Sequence, residues 1–237
     1  MDLKESDILG AGISDHWYYQ SKAEAISRLL CNVQPKSILD IGAGSGFFSR
    51  YLLDSTTAQQ AWCVDNAYDR DSDSFQKEKP IHFRQSIENN ESDLVLLVDV
   101  LEHIDDDVGF LRSYVNKVPR GAVFLISVPA FQFLWSGHDI FLEHRRRYQL
   151  EQIKEVAQHA GLFVSRGAYY FGGVFPIAAA IRLVSRLSKR DMPVRSQLSK
   201  HHPVLNGVLK TICRLELPLM RFNKFAGLTA FCLAEKV

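Results

Sequence analysis

The stretch ILDIGAGSGFFSRYLL, residues 38–53, places three glycines within five residues, between an apolar run and a run with helical periodicity. Glycine at such a junction permits a tight turn, lets a ligand approach the backbone closely and allows the helix to pack near the preceding strand. The stretch therefore predicts a strand, a ligand-binding turn at Gly42, Gly44 and Gly46, and a helix.

The elements around this turn predict an α/β fold. Segments with helical periodicity, such as residues 16–33, 105–118 and 149–162, alternate with short apolar runs. The apolar runs that we interpret as strands are SILDIGA, AWCVD, IHFRQ, DLVLLVDV, GAVFLISVP, FVSRGAYYF and GLTAFCLAEKV. This alternation predicts a doubly wound, largely parallel sheet with helices on both faces.

Composition narrows the class of protein. The chain has 237 residues, 46% of them hydrophobic and 23% charged, as is typical of a globular domain. Its net charge of +1 argues against a dedicated nucleic-acid binder, and we expect no nucleic-acid partner. The acidic N-terminus lacks an apolar signal segment, which indicates a cytoplasmic protein. The four cysteines form no C-x-x-C pair, so we expect reduced thiols and no metal site.

The glycine spacing favours one kind of ligand. G-x-G-x-G is shorter than the G-x-G-x-x-G fingerprint of dinucleotide-binding folds, and Asp40 would be unfavourable beside a pyrophosphate. S-adenosylmethionine has no phosphate, and its ammonium group matches Asp40. Asp65, at the end of the second strand, is placed to accept hydrogen bonds from ribose hydroxyls. A nicotinamide oxidoreductase is therefore disfavoured.

Four blocks, ILDIGAGSGFFSRYLL, AWCVDNAY, DLVLLVDVLEHIDD and GAVFLISVP, resemble class I S-adenosylmethionine-dependent methyltransferases in order and spacing. The resemblance implies a Rossmann-like seven-stranded sheet in the order 3-2-1-4-5-7-6, with strand 7 antiparallel, and S-adenosylmethionine as cofactor. Many family members hold the adenine with an acidic residue after strand three, where this chain has Gln85 and Ser86. The cofactor-binding residues implied are Asp40, Gly42, Gly44, Gly46, Asp65, Gln85, Ser86, Val98 and Asp99.

The stretch SGHDIFLEHRRRYQLEQI after strand five, together with HWYYQSK near the N-terminus, resembles a methyltransferase subgroup with HD and HxRRY elements, often associated with cell-envelope glycan or lipid genes. Lys22 stands where that subgroup often has an arginine. We predict that His138 is the catalytic base and that Asp139 orients it or contacts the acceptor. The candidate substrate-binding residues are Tyr18, Tyr19, His144, Arg146, Arg147 and Tyr148.

A structural interpretation of these residues stays open. The histidine and arginine cluster can instead cap the following helix and tie its loop to Glu102 or Asp105 by ion pairs. Arg146 and Arg147 suit an anionic acceptor, such as a phosphate or carboxylate, only if such pairs leave them accessible. An aromatic helix face at residues 17–19 is as consistent with core packing as with a lid over the donor.

The segment between strands six and seven is strongly basic. Residues 182–224 contain ten Lys and Arg against two acidic residues, a net +8, so the rest of the chain carries −7. Two amphipathic helical runs are present there, and both fall short of the roughly 20 apolar residues of a membrane span. We predict a helical insertion that caps the acceptor site and contacts an anionic membrane through residues 173–222. In the alternative, its apolar faces pack on the sheet edge and its basic faces are solvated.

Taken together, these features predict a single methyltransferase domain. Its parts are an N-terminal lid helix (1–35), a donor-binding core (36–171), the basic insertion (172–222) and a final strand (223–237). The preferred function is O-methylation of a small or lipid-linked acceptor, in the cytoplasm or on the inner face of the membrane. The alternative is a non-catalytic, S-adenosylmethionine-binding regulator or partner subunit.

Overall fold

In the computed structural model, which describes residues 10–187 and 202–237, these residues form an eight-stranded mixed sheet flanked by helices. The helices are α1 Trp17–Leu29, α2 Phe47–Ser55, α3 Asp107–Val115, α4 Gly137–Phe141, α5 Leu150–His159, α6 Phe175–Leu187 and α7 Pro203–Glu216. The strands are β1 Ser37–Ile41, β2 Gln60–Val64, β3 Ser72–Gln76, β4 Lys79–Arg84, β5 Leu94–Val98, β6 Val123–Pro129, β7 Leu162–Tyr170 and β8 Thr229–Lys236.

The centre of the sheet consists of its most apolar strands. Every residue of β1 and of β5 is buried, and the two strands pair in parallel with Ile38 opposite Leu94. A strand covered by helices on both faces has no solvent side, so β5 is apolar throughout, and β1 is apolar except for Ser37 and Asp40.

The strand order is β3-β4-β2-β1-β5-β6-β8-β7, and β8 runs antiparallel to both neighbours. When β3 is left out and the other strands are renumbered, this order becomes the predicted 3-2-1-4-5-7-6, in which strand 7 is antiparallel. The α/β class is therefore confirmed. The count of seven strands is wrong because β3 forms an additional antiparallel edge hairpin with β4. Its sequence, SDSFQ, is largely exposed and rich in residues that strands disfavour, so neither apolar content nor propensity marks it.

The core has two layers, one on each face of the sheet. On one face, Tyr19 and Ile26 of α1 pack with Phe48 and Leu52 of α2. On the other face, Leu111 of α3 and residues of α5 form the second cluster. The predicted arrangement of helices on both faces is therefore confirmed.

The sheet topology positions the candidate site. The parallel strands β1, β2, β4 and β5 end at one edge, where ligands bind in open α/β sheets. The glycine-rich turn, Asp65, Gln85 and Asp99 follow these four strands directly. The fold thus collects at one edge residues that lie up to 57 positions apart in the chain.

The predicted insertion between the last two strands contains α6 and α7. Residues 188–201, which carry part of its basic charge, lie outside the described residues. Among the helices that the structure describes, each is too short or too polar to cross a bilayer. The predicted division of the chain into lid, core, insertion and final strand stays a prediction.

Candidate active site

The glycine-rich turn forms a concave cradle between β1 and α2. Gly42 and Gly46 have φ angles of 65° and 71°, in the left-handed region that glycine tolerates best. A Cβ atom on Gly42 would lie 2.7 Å from Cγ2 of Val100, and one on Gly46 would lie 3.1 Å from the ring of Phe83. Side chains at these positions would collide with Val100 and Phe83, so the turn requires glycine for packing as well as for its φ angles.

Asp65 is held beside this cradle by backbone groups. One carboxylate oxygen accepts a hydrogen bond from the N–H of Gly44 at 3.0 Å, and the other accepts one from the N–H of Ala67 at 3.0 Å. Tyr68 donates its hydroxyl hydrogen to the carbonyl of Gly44 at 2.7 Å. Because each carboxylate oxygen has further lone pairs, Asp65 remains able to accept bonds from ribose hydroxyls.

Asp40 lies at the end of β1 and is almost fully buried. It accepts a hydrogen bond from the Ser49 hydroxyl at 2.8 Å. Burial raises the pKa of Asp40 from its ordinary 3.8 to about 6, although the bond from Ser49 opposes the shift. A cation close to this carboxylate would favour its ionised form, and the predicted contact with the donor's ammonium group would provide one.

A cavity of about 540 Å³ opens beside the turn. This volume is within the range of pockets for small-molecule cofactors. Its lining is Ile41, Gly42, Val64, Asp65, Asn66, Ala67, Gln85, Asp99, Val100, His103, Ile104, Phe110, Tyr114, Leu142 and Glu143. The lining therefore includes four of the predicted cofactor residues, Gly42, Asp65, Gln85 and Asp99. The other five described candidates, outside that lining, are Asp40, Gly44, Gly46, Ser86 and Val98.

Two aromatic residues of α3 extend the cavity wall beyond the predicted set. The rings of Phe110 and Tyr114 meet edge to face with centroids 5.2 Å apart. Their spacing of four residues places them on one side of a helix, but the sequence does not say that this side faces the donor. Together with Gln85, which donates its side-chain amide to the carbonyl of Tyr68 at 2.6 Å, they form a surface suited to a purine.

A buried ion pair closes the end of β5. The ammonium group of Lys22, on α1, is fully buried and contacts the carboxylate of Asp99. It also donates to the hydroxyl of Tyr18 at 2.8 Å. Burial would lower the pKa of Lys22, but Asp99 and Tyr18 outweigh it and raise that pKa well above its usual range. Burial would likewise raise the pKa of Asp99, but Lys22 holds it low.

The sequence indicated a charge role for Lys22 but not its partner. Asp99 lines the cavity, whereas Lys22 is fully buried and is not part of the lining. The pair therefore places one carboxylate, held by a buried ammonium group, in the cavity wall. The pair also anchors α1 over the end of the sheet, as the lid prediction for this helix requires.

Asp139 is the centre of a second buried network. It is fully buried, and it accepts hydrogen bonds from the backbone N–H of Ser136 at 2.8 Å and from Nε of Arg147 at 2.7 Å. Nδ1 of His144 lies 3.0 Å from Oδ1, the same oxygen that accepts from Nε of Arg147. Burial would raise the pKa of Asp139, but His144 and Arg147 hold it well below its usual range. The side chain that Asp139 orients is therefore His144.

His138 precedes Asp139 on α4 and is largely shielded from solvent. Burial lowers the pKa of His138 to about 4, although Asp139 opposes the shift. The imidazole is thus neutral at physiological pH, so it does not have to lose a proton before it can act as a base. Its role as catalytic base stays a prediction, and the low pKa makes it a weak one.

The arginine-rich segment has structural partners. Arg145 pairs with Asp105, and Arg146 lies 3.4 Å from the carboxylate of Asp107. The hydroxyl of Tyr148 donates to Asp107 at 2.8 Å. The Arg145–Asp105 pair is the ion-pair alternative that the sequence left open, whereas the contacts to Asp107 were not predicted.

Arg146, Arg147 and Tyr148 also line a cleft of about 460 Å³ between α3 and α5. Its lining shares no residue with the 540 Å³ cavity beside the glycine-rich turn, the predicted donor cavity, among the residues described for the two. The prediction that these three side chains bind the acceptor is untested, and the geometry separates them from that cavity.

The two N-terminal tyrosines differ in their surroundings. Tyr19 is buried in the core against the rings of Phe47 and Phe48. Tyr18 is half-buried and stacks on Phe171, with ring centroids 5.1 Å apart. Tyr18 contacts the Lys22–Asp99 pair, so of the two tyrosines it is the better placed to contact the donor or acceptor.

Comparisons with known proteins agree with this geometry. A family model described as a methyltransferase domain matches residues 14–165. No curated protein sequence matches the chain. Among solved structures, a chain from the complex between the Haloferax volcanii Trm112 methyltransferase activator and a candidate methyltransferase has a TM-score of 0.56 at 16% identity, covering 99% of this chain and 94% of that one.

Two further structures share the fold over most of this chain. A candidate sarcosine dimethylglycine methyltransferase from Galdieria sulphuraria has a TM-score of 0.53 at 16% identity, with 92% of this chain and 86% of that chain covered. Phosphoethanolamine N-methyltransferase 2 from Haemonchus contortus, in complex with S-adenosyl-L-methionine, has a TM-score of 0.53 at 17% identity. That match covers 98% of this chain and 60% of the other.

The sheet order, the glycine cradle and the carboxylates after β1 and β2 define a Rossmann-like fold that binds S-adenosylmethionine. The chain belongs to the methyltransferase domain family, whose model covers well over half of it. It is an S-adenosylmethionine-dependent methyltransferase, and S-adenosylmethionine is its cofactor. Family membership favours the enzyme over the non-catalytic alternative.

Proposed function

We propose that this methyltransferase methylates an oxygen atom of a lipid-linked acceptor, which it reaches at an anionic membrane surface. The observation that carries the proposal is the pair of apolar helix faces that α6 and α7 direct away from the protein, next to the loop that follows β6. A lipid-linked acceptor stays anchored in the bilayer, so its methyltransferase has to approach the membrane.

Helix α6 exposes an apolar surface. Four of its aliphatic side chains are more than half exposed, and Val184 has 61% of its surface accessible. The others are Ile177, Ile181 and Leu183. A contiguous apolar surface of this kind is uncommon on a soluble monomer and typically marks an interaction site.

Helix α7 packs on the protein through Leu209 and Cys213, and two basic residues beside them contact α1. Arg214 pairs with Glu24 of α1 at 2.7 Å, and Lys210 donates to the side chain of Gln20 at 2.6 Å. The opposite side exposes Val204, Leu205, Val208 and Leu215, of which Leu215 is 73% accessible. Helix α7 therefore packs on the core through one apolar strip, as the alternative expects, and leaves a second apolar strip exposed.

Charge complementarity selects an anionic membrane as the occupant of these faces. The stretch 182–224 has a net charge of +8, against −7 for the rest of the chain. Each Lys or Arg near an anionic bilayer surface contributes about 1 kcal/mol to binding. Arg214 and Lys210 are engaged by α1, so the other basic residues of the stretch attract the insertion to the membrane. The exposed aliphatic side chains then enter the interfacial region of the bilayer.

The apolar faces adjoin the loop that leads to His138. The ring of Phe175, at the start of α6, lies 5.5 Å from that of Phe131 and 6.0 Å from that of Phe133, both in this loop. Arg182, further along α6, is near enough to Arg147 and Asp139 that their charges affect its pKa, which burial lowers. A substrate entering from the membrane would therefore meet α6 and this loop together.

The chemistry of the loop favours an oxygen nucleophile. S-adenosylmethionine supplies an electrophilic methyl group on a positively charged sulfur, and in-line positioning of the acceptor accounts for much of the rate. His138 is neutral at physiological pH, so it can accept a hydrogen bond from a hydroxyl and orient its lone pair. An acidic oxygen, such as that of a phenol, carboxylate or phosphate, requires the least help from so weak a base.

Vesicle co-sedimentation tests the membrane part of the proposal. We expect binding to vesicles with anionic lipid, weaker binding to neutral vesicles, and loss with increasing salt. The double variant V184E/L215E should bind at least about tenfold more weakly, because burial of each aliphatic side chain contributes about 1.5 kcal/mol or more. The matched control is F75E, which alters an exposed apolar residue on β3.

Methyl transfer tests the reaction. The enzyme, labelled S-adenosylmethionine and a membrane lipid extract should give a labelled, organic-soluble product whose mass and hydrolysis place the methyl group on oxygen. Efficient methylation of a water-soluble acceptor without vesicles would refute the lipid-linked substrate, and methyl transfer to nitrogen or carbon would refute O-methylation. Equal vesicle binding by wild type and V184E/L215E would refute the membrane surface.

A further inference from the structure

Three side chains with metal-binding atoms meet beside the donor cavity. One carboxylate oxygen of Glu102, one ring nitrogen of His103 and one of His144 all lie within 4.8 Å of one another. The rings of the two histidines pack edge to face, with centroids 4.8 Å apart. Because His144 comes some 40 positions after the other two, the sequence shows no metal-ligand spacing, and only the fold creates the cluster.

Glu102 provides an independent sign of a missing positive charge. Its side chain is fully buried, and among the described residues neither carboxylate oxygen has a hydrogen-bond partner. Burying a charged group is unfavourable unless it is paired or coordinates a metal ion. An unpartnered carboxylate in a core therefore requires an explanation, and a bound ion is one of the few available.

His144 is already oriented as a metal ligand would be. Its Nδ1 lies 3.0 Å from Asp139, so Nε2 is left for another partner. Metal-bound histidines usually pair their second nitrogen with a carboxylate or carbonyl, which fixes the ring and its tautomer. Asp139 is itself held by Ser136 and Arg147, so the ring has little freedom to turn.

We infer that Glu102, His103 and His144 bind a divalent transition-metal cation such as Zn²⁺, with an open coordination position toward the donor cavity. Two imidazoles and one carboxylate suit such a cation, and three protein ligands with an open position are typical of catalytic sites. Bonds of about 2.1 Å in tetrahedral geometry separate ligand atoms by about 3.4 Å. Because Asp139 holds His144, rotations of the Glu102 and His103 side chains would have to close the cluster to that spacing.

The site adjoins the place where the donor binds. His103 lines the donor cavity together with Asp99, which ends β5. An acceptor hydroxyl at the open position would ionise at a lower pH than in water, which would supply the activation that the weakly basic His138 lacks. This role, unlike the binding itself, rests on the proposed transfer to oxygen.

The methyl transfer conserves atoms and electrons. The acceptor hydroxyl releases its proton to solvent, and an oxygen lone pair forms the bond to the methyl carbon. The carbon–sulfur bond of the donor breaks, and its electron pair stays on sulfur. The products are the methylated acceptor, S-adenosylhomocysteine and one proton.

Cobalt titration tests the binding directly, since Co²⁺ bound to protein ligands absorbs visible light. Protein freed of metal by chelation should bind one equivalent of Co²⁺ with visible bands, and Zn²⁺ should displace it. E102Q and H144N should each weaken Co²⁺ binding more than about 100-fold, and D139N should weaken it by about 10–100-fold through loss of orientation. The matched control is H82N, which removes a partly buried histidine of β4 that pairs with Asp73.

S-adenosylhomocysteine binding, measured on every variant, reports an intact donor site. Visible bands absent at millimolar Co²⁺, or bands that persist in both E102Q and H144N, would overturn the inference. The titration contains no acceptor, so its result is separate from the proposed function. A protein that binds Co²⁺ through these residues but methylates no oxygen would keep the metal site and lose only the O-methylation.

Discussion

Replacement of Asp40 by asparagine should stabilise the folded protein at neutral pH and weaken donor binding. Asp40 is buried at the end of β1, and its single described side-chain bond comes from Ser49. Asparagine has nearly the same shape, and its carbonyl oxygen can accept the same bond. The substitution therefore removes mainly the charge.

The magnitude follows from the pKa of the carboxyl group. Burial raises the pKa of Asp40 from 3.8 to about 6 in the folded protein. With about 1.4 kcal/mol per pH unit between the two values, the charged form costs about 3 kcal/mol. Between about pH 4 and pH 6 the folded state holds a proton that the unfolded state has lost, so stability falls as pH rises through this window. Above pH 6 the charged Asp40 destabilises the folded protein by the full amount of about 3 kcal/mol.

Urea unfolding at several pH values checks this. D40N should be more stable than wild type by about 3 kcal/mol at pH 8, and nearly equal to it below pH 4. D54N is the control, because Asp54 is exposed and Lys77 lowers its pKa, so its removal should not stabilise the protein. A D40N protein that is less stable than wild type at pH 8 would refute the reasoning.

Donor binding supplies the second half of the prediction. If the donor's ammonium group faces Asp40, binding favours the ionised carboxyl, and wild type should release a proton near pH 6 when it binds S-adenosylhomocysteine. Calorimetry in buffers of different ionisation enthalpy measures this proton, which D40N should not release. The same proton release by D40N would show that another group carries the linkage.

Three further outcomes are expected. K22M should lower the free energy of unfolding in urea by about 3 kcal/mol, because it leaves the carboxylate of Asp99 unpaired. Adding D99N to K22M should restore much of that stability, and additive effects in this double-mutant cycle would contradict the ion pair. G42A should destabilise the fold by about 1–3 kcal/mol, since alanine is strained at a φ of 65° and its Cβ would meet Val100; unchanged thermal unfolding would contradict it. D65A should weaken the binding of S-adenosylhomocysteine, measured by calorimetry, about 10–100-fold. An unaltered affinity would show that Asp65 does not bind the ribose.

Much of the donor site could be predicted from the sequence because its signals are local. Gly42 and Gly46 adjoin a strand and a helix that are recognisable by periodicity, and Asp65 directly ends the next strand. Parallel strands bring their ends to one edge, so the assembly of these residues follows from the fold class. The edge strand β3 was missed because its polar, exposed sequence carries no such periodicity.

The acceptor side was less accessible to this reasoning. The sequence placed His138 and Asp139 together as base and helper, since neighbours in the chain are the simplest partners. In the structure, Asp139 pairs with His144 and Arg147. Which of two adjacent side chains faces a third depends on the path of a loop, and no periodic pattern encodes that path.

By itself, the sequence determined the α/β class and the glycine-rich turn, because burial and backbone geometry select residue types position by position. The strand order was implied by the resemblance to class I methyltransferases. Only the tertiary structure decided the Lys22–Asp99 pair, the unpartnered Glu102 beside two histidines, and the outward apolar face of α7. Each of these depends on contacts between segments far apart in the chain. Their energies come from burial and from charges brought close together, and these exist only once the chain is folded.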